Sequence, residues 1–338
     1  MATIISQHIN YINQLQRQDR LNPNVHRLIR QTQQTLQLLI RRRQQHMMQQ
    51  QAQVQQQQQQ QRALSAAAMA AANTAAATKL QAQTQLFNFN AVGKKALLIG
   101  INYLNTPYQL SGCINDAAAL SNKLAFTYGF KNIFLMTDNT TIKPTRANIY
   151  NNIKAMFQQA RRGDVLFLSY SGHGSYVLDR NNDEADRRDE VLIGSDLQSL
   201  VDDDLKILIR TFLQPSVTLV MLCDSCFSQS ILDLKYQHMD TQYNKDLTVN
   251  AGETATTGTV ICISGCQDNQ MSADAYINNT FQGALTWAFL TQLTATPRPT
   301  WKALLVGMRT LLKKRGFTQV AQLSTGQTMD ITHTPILF

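Results

Sequence analysis

The sequence predicts an α/β chain: a mostly parallel sheet flanked by helices on both faces, preceded by an N-terminal extension that is largely disordered or helical. Three observations carry this. Short runs of Val, Ile and Leu recur from Lys94 onward, they alternate with stretches of helical length and pattern, and residues 1–90 differ in composition from everything after them. Continuous apolar strands separated by helices mark strands buried on both faces, as in a parallel sheet.

The extension comes first. "QQHMMQQQAQVQQQQQQQRALSAAAMAAANTAAATKLQAQTQ" is Gln-rich and then Ala-rich, with too little apolar surface to offset the entropy of ordering the chain. Ala and Gln favour fluctuating helix, and Gln-rich tracts can self-associate. "RLIRQTQQTLQLLIRRR" reads as a basic amphipathic helix. Residues 1–90 hold nine Lys or Arg against one acid, Asp19, a net +8 out of +9 for the whole chain. Any binding of nucleic acid therefore belongs to this arm and is not expected of the rest.

"KKALLIGINY" then reads as a buried strand, and "INDAAALSNKLAFTYGF" as a helix starting near Asn115 or Asp116 and ending near Gly129. "NIFLMTD" is a strand, "TRANIYNNIKAMFQQARRG" a helix, and "DVLFLSYSGHG" a strand entering a Gly-bounded loop. "VDDDLKILIRTFLQP" is a helix with acids in its first turn and a terminating proline, where they suit the helix dipole. "SVTLVMLCDS" and "GTVICISGC" are strands separated by a polar stretch, 237–257. "FQGALTWAFLTQL" and "TWKALLVGMRTLLKKRG" are helices, and "GQTMDITHTPIL" is expected as a closing edge strand. In such a sheet, ligands bind beyond the carboxyl ends of the strands. His173, Cys226, Cys113 and Asp116 all fall at or just past such ends and should converge.

No run approaches 18 apolar residues, so no membrane-spanning helix is expected. Five cysteines without disulfide-like spacing, and an N-terminus unlike a signal peptide, point to an intracellular protein, cytoplasmic by preference.

The spacing of Cys223 and Cys226 admits three readings: half of a zinc site completed by Cys262 and Cys266, a redox dithiol, or one buried cysteine beside a nucleophile. Zinc is not expected, because Cys223 and Cys262 fall inside apolar strands; Cys262 and Cys266 read as structural. The nucleophile reading uses more of the chain. A thiol needs a base to become a thiolate near neutral pH, and His173, in "SGHG" at a strand end, can take that proton and return it to a leaving amine.

"YSGHG" (170–174) and "DSC" (224–226) resemble the histidine and cysteine motifs of the metacaspases, cysteine peptidases of the caspase–hemoglobinase fold. "LSGCIND", "DEADRRDEVLIGSDL", "LVDDDL" and "ISGCQDNQMSADA" are similar to further segments of that family, and the likeness covers about residues 94–338. It implies a three-layer caspase-like fold of type I: a prodomain-like extension over 1–90, a large catalytic portion over 91–236, a linker over 237–257 and a small portion of the same domain over 258–338. It implies Cys226 as nucleophile and His173 as general base and acid, with the N–H groups of Gly174 and Cys226 forming the oxyanion hole. Metacaspases cut after Arg or Lys. Asp116 and Asp224 can supply carboxylates to such a side chain, with Cys113 and Ser171 lining the pocket; otherwise Asp224 is a loop brace and Asp116 a helix cap.

Many members use calcium, and the matching acids are Asp189, Asp202, Asp203 and Asp233, although Asp202 and Asp203 can also cap the helix that follows. Self-processing is expected at exposed basic sites, with Lys79, Lys94, Lys95, Lys235 and Lys245 as candidates. The likeness also implies a monomer acting on protein or peptide substrates. The chain departs from the family where "CFSQ" places Phe227 and Gln229 in positions usually held by His and Gly, and where Arg187 replaces a common Gly. Two competing expectations stand: a non-proteolytic interaction protein working through the Gln-rich arm, and a legumain-like or paracaspase-like protease of the same fold.

Overall fold

The computed structural model describes residues 85–178, 188–225, 231–241, 244–265, 274–277, 280–336 and 338, together with 10, 13, 14, 24, 25, 27–35, 37 and 38. The chain divides into two compact units, Met1–Leu64 and Ser65–Phe338. In the first, residues 27–35 are helical and mostly exposed.

The second unit is built on an eight-stranded sheet. Its first two strands, β1 (Lys94–Gly100) and β2 (Asn132–Thr137), are linked by helix α1 (Cys113–Tyr128). Helix α2 (Arg146–Gln158) leads to β3 (Val165–Ser171), which continues into a small antiparallel sheet of β4 (Gly174–Leu178), β5 (Arg188–Ile193) and β6 (Ser199–Val201). Helix α3 (Asp202–Phe212), β7 (Thr218–Asp224), β8 (Tyr236–Asp240), β9 (Lys245–Val249) and β10 (Thr259–Ser264) follow. A hairpin of β11 (Asp274–Ile277) and β12 (Thr280–Gly283), helices α4 (Ala284–Ala295) and α5 (Trp301–Lys314), and β13 (Gln322–Thr325) complete it. The order across the main sheet is β2-β1-β3-β7-β10-β13-β8-β9. The first five strands run parallel, and the last three join by antiparallel pairing.

The apolar runs explain the two-sided burial. Along β3, Leu166, Leu168 and Tyr170 enter one core while Phe167 enters the other; along β7, Leu219, Met221 and Cys223 oppose Val220 and Leu222. Side chains alternate across a strand, so a continuous run feeds both faces. The first core is closed by Ile149, Ile153 and Met156 of α2 with Leu205, Leu208 and Ile209 of α3. The second is closed by Leu120 and Leu124 of α1, Leu285 and Phe289 of α4, and Leu304 and Met308 of α5. The mostly parallel sheet with helices on both faces is thus the architecture of this unit.

Three local expectations change. The closing edge strand expected over 326–337 lies earlier, at Gln322–Thr325, and inside the sheet between β10 and β8, where all four of its residues are buried. Gly326 follows it, and among the later described residues only Pro335 forms a bridge, to Thr300. The polar stretch 237–257, expected as a linker, contributes β8 and β9 to the main sheet. Strand β9 is exposed along most of its length, so it carries no apolar run by which to recognise it. The three-stranded β4-β5-β6 sheet was likewise not predicted.

Candidate active site

The carboxyl ends of β1, β3 and β7 are in register: Gly100 pairs with Ser171, and Ser171 with Asp224. Helix α1 starts directly against this edge. A Cβ on Gly100 would overlap the carbonyl of Cys113, so only glycine lets the helix begin so close to the end of β1. Cys113 and Asp116, three residues apart, share a face of its first turn, and both are buried.

Asp116 does not cap α1, which has no side-chain cap. Its carboxylate accepts the Ser171 hydroxyl at 2.7 Å and the Gly283 N–H at 3.0 Å. Asp224, at the end of β7, accepts the Thr286 N–H at 2.8 Å, in the first turn of α4, where a carboxylate complements the helix dipole. Gly283 stands between the two acids. A Cβ there would overlap Asp224 and lie 2.7 Å from Asp116 Oδ2, which excludes any other residue from this close approach. Asp116 is 1% and Asp224 4% exposed. Cys113, Asp116, Ser171 and Asp224, expected to line one pocket, therefore meet at one edge.

His173 is two residues beyond Ser171 and half-buried. Its Nε2 lies 2.7 Å from the Tyr108 carbonyl. A carbonyl only accepts, so Nε2 carries the proton and Nδ1 is the nitrogen of the neutral ring that can take one. The imidazole packs on the Tyr103 ring, centroids 4.7 Å apart. The Tyr103 hydroxyl accepts the main-chain N–H of His173 at 2.9 Å and donates to the Ile193 carbonyl at 2.7 Å. Tyr170 completes the support, its hydroxyl 3.0 Å from that of Tyr103 and 2.7 Å from the His173 carbonyl. Burial pushes both phenols well above their ordinary range, so they remain neutral hydroxyls. Tyr103 has φ +51°, a left-handed backbone that a bulky residue adopts only where its surroundings impose it.

Tyr103, Tyr108, Gly283 and Thr286 were not singled out in the sequence. Tyr103 carries a signal, an aromatic residue just past a strand end. The other three act through the main chain and leave none.

Cys226, two residues beyond Asp224, lies outside the described residues, as do Phe227, Gln229, Arg187 and Cys266. Gly174 opens β4. Cys223 and Cys262 are buried in the core, where burial pushes the Cys262 thiol well above its ordinary range.

A second cluster joins Glu190, Asp202 and Asp233, all buried, with one carboxylate oxygen of each within 4.8 Å of the others. Asp202 and Asp233 belong to the expected metal set. Glu190 enters it although only its neighbour Asp189 was expected; adjacent strand residues point to opposite faces, and Asp189 is not in the cluster. Asp203 approaches Lys206 instead, at 4.0 Å. Burial, reinforced by the charge of Asp233, pushes the Asp202 carboxyl up to about 8. Carboxylates held together at such a cost form a hard-oxygen donor set that suits a cation such as calcium. The Glu190 and Asp203 N–H groups also donate to Asp202. Asp202 does not cap the helix, as it was expected to: it is the first residue of α3, whose cap position is Val201 and carries no side-chain cap.

Two of the expected self-cleavage positions are overturned. Lys95 is 0% exposed, its ammonium is 2.6 Å from Asp164, and β1 is paired on both sides; Lys94 is the first residue of the same strand. A peptide bond there cannot enter a protease cleft while the sheet exists. Lys245 is exposed at the start of β9, and Lys235 is half-buried ahead of β8. Lys79 lies outside the described residues.

Residues 94–235 match the family model "Metacaspase, peptidase C14 domain". Metacaspase-1 of Kluyveromyces lactis is 35% identical, covering 70% of this chain and 67% of that protein. Metacaspase-1 of Meyerozyma guilliermondii is 33% identical, covering 70% of each. The crystal structure of protein GSU0716 from Geobacter sulfurreducens is similar with a TM-score of 0.52 and 26% identity, covering 70% of this chain and 95% of that one. No helix among the described residues is long and apolar enough to cross a membrane.

Proposed function

Because the chain belongs to the metacaspase family of cysteine peptidases, we propose that it is a calcium-assisted endopeptidase that cuts after Arg or Lys, with Cys226 as nucleophile and His173 as its base and acid. The observation that carries the specificity is the buried pair Asp116 and Asp224, held one on each side of Gly283 and beside Ser171, two residues before His173. Two close carboxylates with little access to water favour a cationic side chain over any other, and a guanidinium can bond both.

In the mechanism this geometry supports, Nδ1 of His173 takes the thiol proton of Cys226, because Nε2–H is committed to Tyr108. The thiolate attacks the scissile carbonyl carbon. The negative oxygen that forms is held by the N–H groups of Gly174 and Cys226, an arrangement in which one donor contributes about 2.7–4 kcal/mol. Collapse breaks the C–N bond, and the proton on Nδ1 passes to the departing amine. Water, deprotonated by the same nitrogen, then opens the thioester and returns the thiol. Glu190, Asp202 and Asp233 would hold calcium. The ion would neutralise their charge and tie β5, the start of α3 and the 231–234 segment together, shaping the site without entering the reaction. Lys235, Lys245 and Lys79 remain the candidate self-processing positions.

The test is hydrolysis of peptides that differ only at the residue before the cut, with calcium or with chelator, by the full chain and by its Cys226→Ala variant. Arg and Lys peptides should be cut, faster with calcium, and the variant should be silent. Cleavage that ignores the basic residue would sink the specificity, equal rates in chelator would sink the calcium role, and an active variant would sink the nucleophile.

A further inference from the structure

On one face of α3, "VDDDLKILIR" aligns Asp203, Lys206 and Arg210 at spacings of three and four residues. Lys206 is the unusual member: only 7% of its side chain is exposed, so its ammonium depends on protein partners rather than water. It has several. Nζ is 2.7 Å from Glu253 Oε1, 3.3 Å from Asp233 Oδ2 and 4.0 Å from Asp203 Oδ1. Glu253, itself buried, also receives the Arg210 guanidinium from the next turn of the helix. Asp233, with φ +44°, is shared: it faces Lys206 and also belongs to the cluster with Glu190 and Asp202.

We propose that Lys206 is a resident cation that competes with a divalent ion for Asp233, so that this lysine sets how tightly the Glu190–Asp202–Asp233 cluster takes calcium. The inference rests on the calcium reading above and adds a determinant of affinity to it. An ion entering the cluster needs the Asp233 carboxylate and would bring two positive charges close to a buried ammonium, where repulsion is weakly screened. Lys206 can yield, because Glu253 offers it a shorter and equally buried contact. Glu253 thus favours the ion by drawing the lysine away, and Arg210, by holding Glu253 in place, fixes where the lysine can go.

The two sides of this competition respond in opposite directions, which a merely structural role would not do. The experiment is calorimetric titration of calcium into the full chain carrying Cys226→Ala, which prevents self-digestion, and into the same chain with Lys206→Met or Glu253→Gln. Lys206→Met keeps the apolar stem and removes the charge, so the dissociation constant should tighten on the order of tenfold or more. Glu253→Gln leaves Lys206 to lean on Asp233, so binding should weaken several-fold. Melting in chelator should be lower for Lys206→Met than for its parent, and calcium should restore it. Should Lys206→Met fail to fold, Lys206→Gln carries the same expectation. If the parent binds calcium and both variants match it, or both move the same way, the competition is wrong while the calcium reading stands. If neither parent nor Lys206→Met binds calcium, the calcium reading falls and takes this inference with it.

Discussion

The two ends of the same strands handle buried charge in opposite ways. At the amino ends of β1 and β3, Lys95 and Asp164 form an ion pair at 2.6 Å with both side chains 0% exposed. The Asp164 carboxylate also accepts the Gly93 and Arg161 N–H groups, and the Lys95 ammonium also reaches the Gln159 carbonyl. At the carboxyl ends, the buried groups are two acids, Asp116 and Asp224, and neutral donors from Ser171, Gly283 and Thr286 hold them. Charge closed on itself fixes the sheet, whereas the two acids at the carboxyl ends are the ones proposed above to receive a cationic side chain. Position along a strand thus separates the acids that serve stability from those proposed to serve recognition.

The largest effect should come from the amino end. Asp164→Asn leaves the Lys95 ammonium buried without its carboxylate, and breaking a buried pair from one side costs about 3–5 kcal/mol. Chemical denaturation should show that loss, with the kcat of the folded fraction little changed. The pH dependence has a definite sign. Burial alone would push the Asp164 carboxyl up, but Lys95 and the Arg161 and Gly93 N–H groups outweigh it and hold the group below the usual carboxylate range. A depressed carboxyl stabilises the fold at pH values above its unfolded pKa and loses that contribution as pH falls through the folded one. The native chain should therefore weaken below about pH 4 more steeply than Asp164→Asn does. Equal acid limbs would remove this end of the contrast.

The carboxyl end should respond in activity rather than stability. In Asp224→Asn the side-chain oxygen can still accept the Thr286 N–H, so the melting temperature should move little. Removing one charge from a desolvated pair that receives a guanidinium should lower kcat/KM for an Arg peptide by about 100-fold. A variant that melts early yet cuts Arg peptides at the native rate would assign Asp224 to bracing the start of α4.

What the sequence made legible follows the same division. The strands of the parallel half read clearly because burial on both faces demands unbroken apolar runs, such as "ALLIG" and "VLFLSY". Their ends located His173, Ser171 and Asp224 through the rule that ligands gather beyond carboxyl ends. The antiparallel half was legible only in part. Strand β9, with Lys245, Asp246 and Leu247 exposed, has no pattern that separates it from a polar linker, and β13 is four residues long. Glu190 was missed for a geometric reason: it and Asp189 are both buried, and which of the two neighbouring acids faces Asp202 and Asp233 depends on strand register, which composition does not contain. Lys95 illustrates the converse, a basic residue that looks like an exposed cleavage site until its partner, 69 positions away, is known.

Tyr103 offers the smallest and most discriminating test at the carboxyl end, because its hydroxyl touches the catalytic candidate without touching the acid pair. Tyr103→Phe keeps the ring that packs on His173 and removes the group that accepts the main-chain N–H of His173 and donates to Ile193. Losing one partner of a buried hydrogen bond costs about 1–3 kcal/mol. If that cost fell only on the fold, the melting temperature would drop and the kinetics of the folded enzyme would not change. If Tyr103 positions the imidazole, kcat should fall about tenfold with KM unchanged, since the acid pair proposed for recognition, Asp116 and Asp224, stays intact. A rise in KM instead would mean that the His173 loop and the acid pair move together, and the carboxyl end would then be one coupled unit rather than separate catalytic and recognition parts.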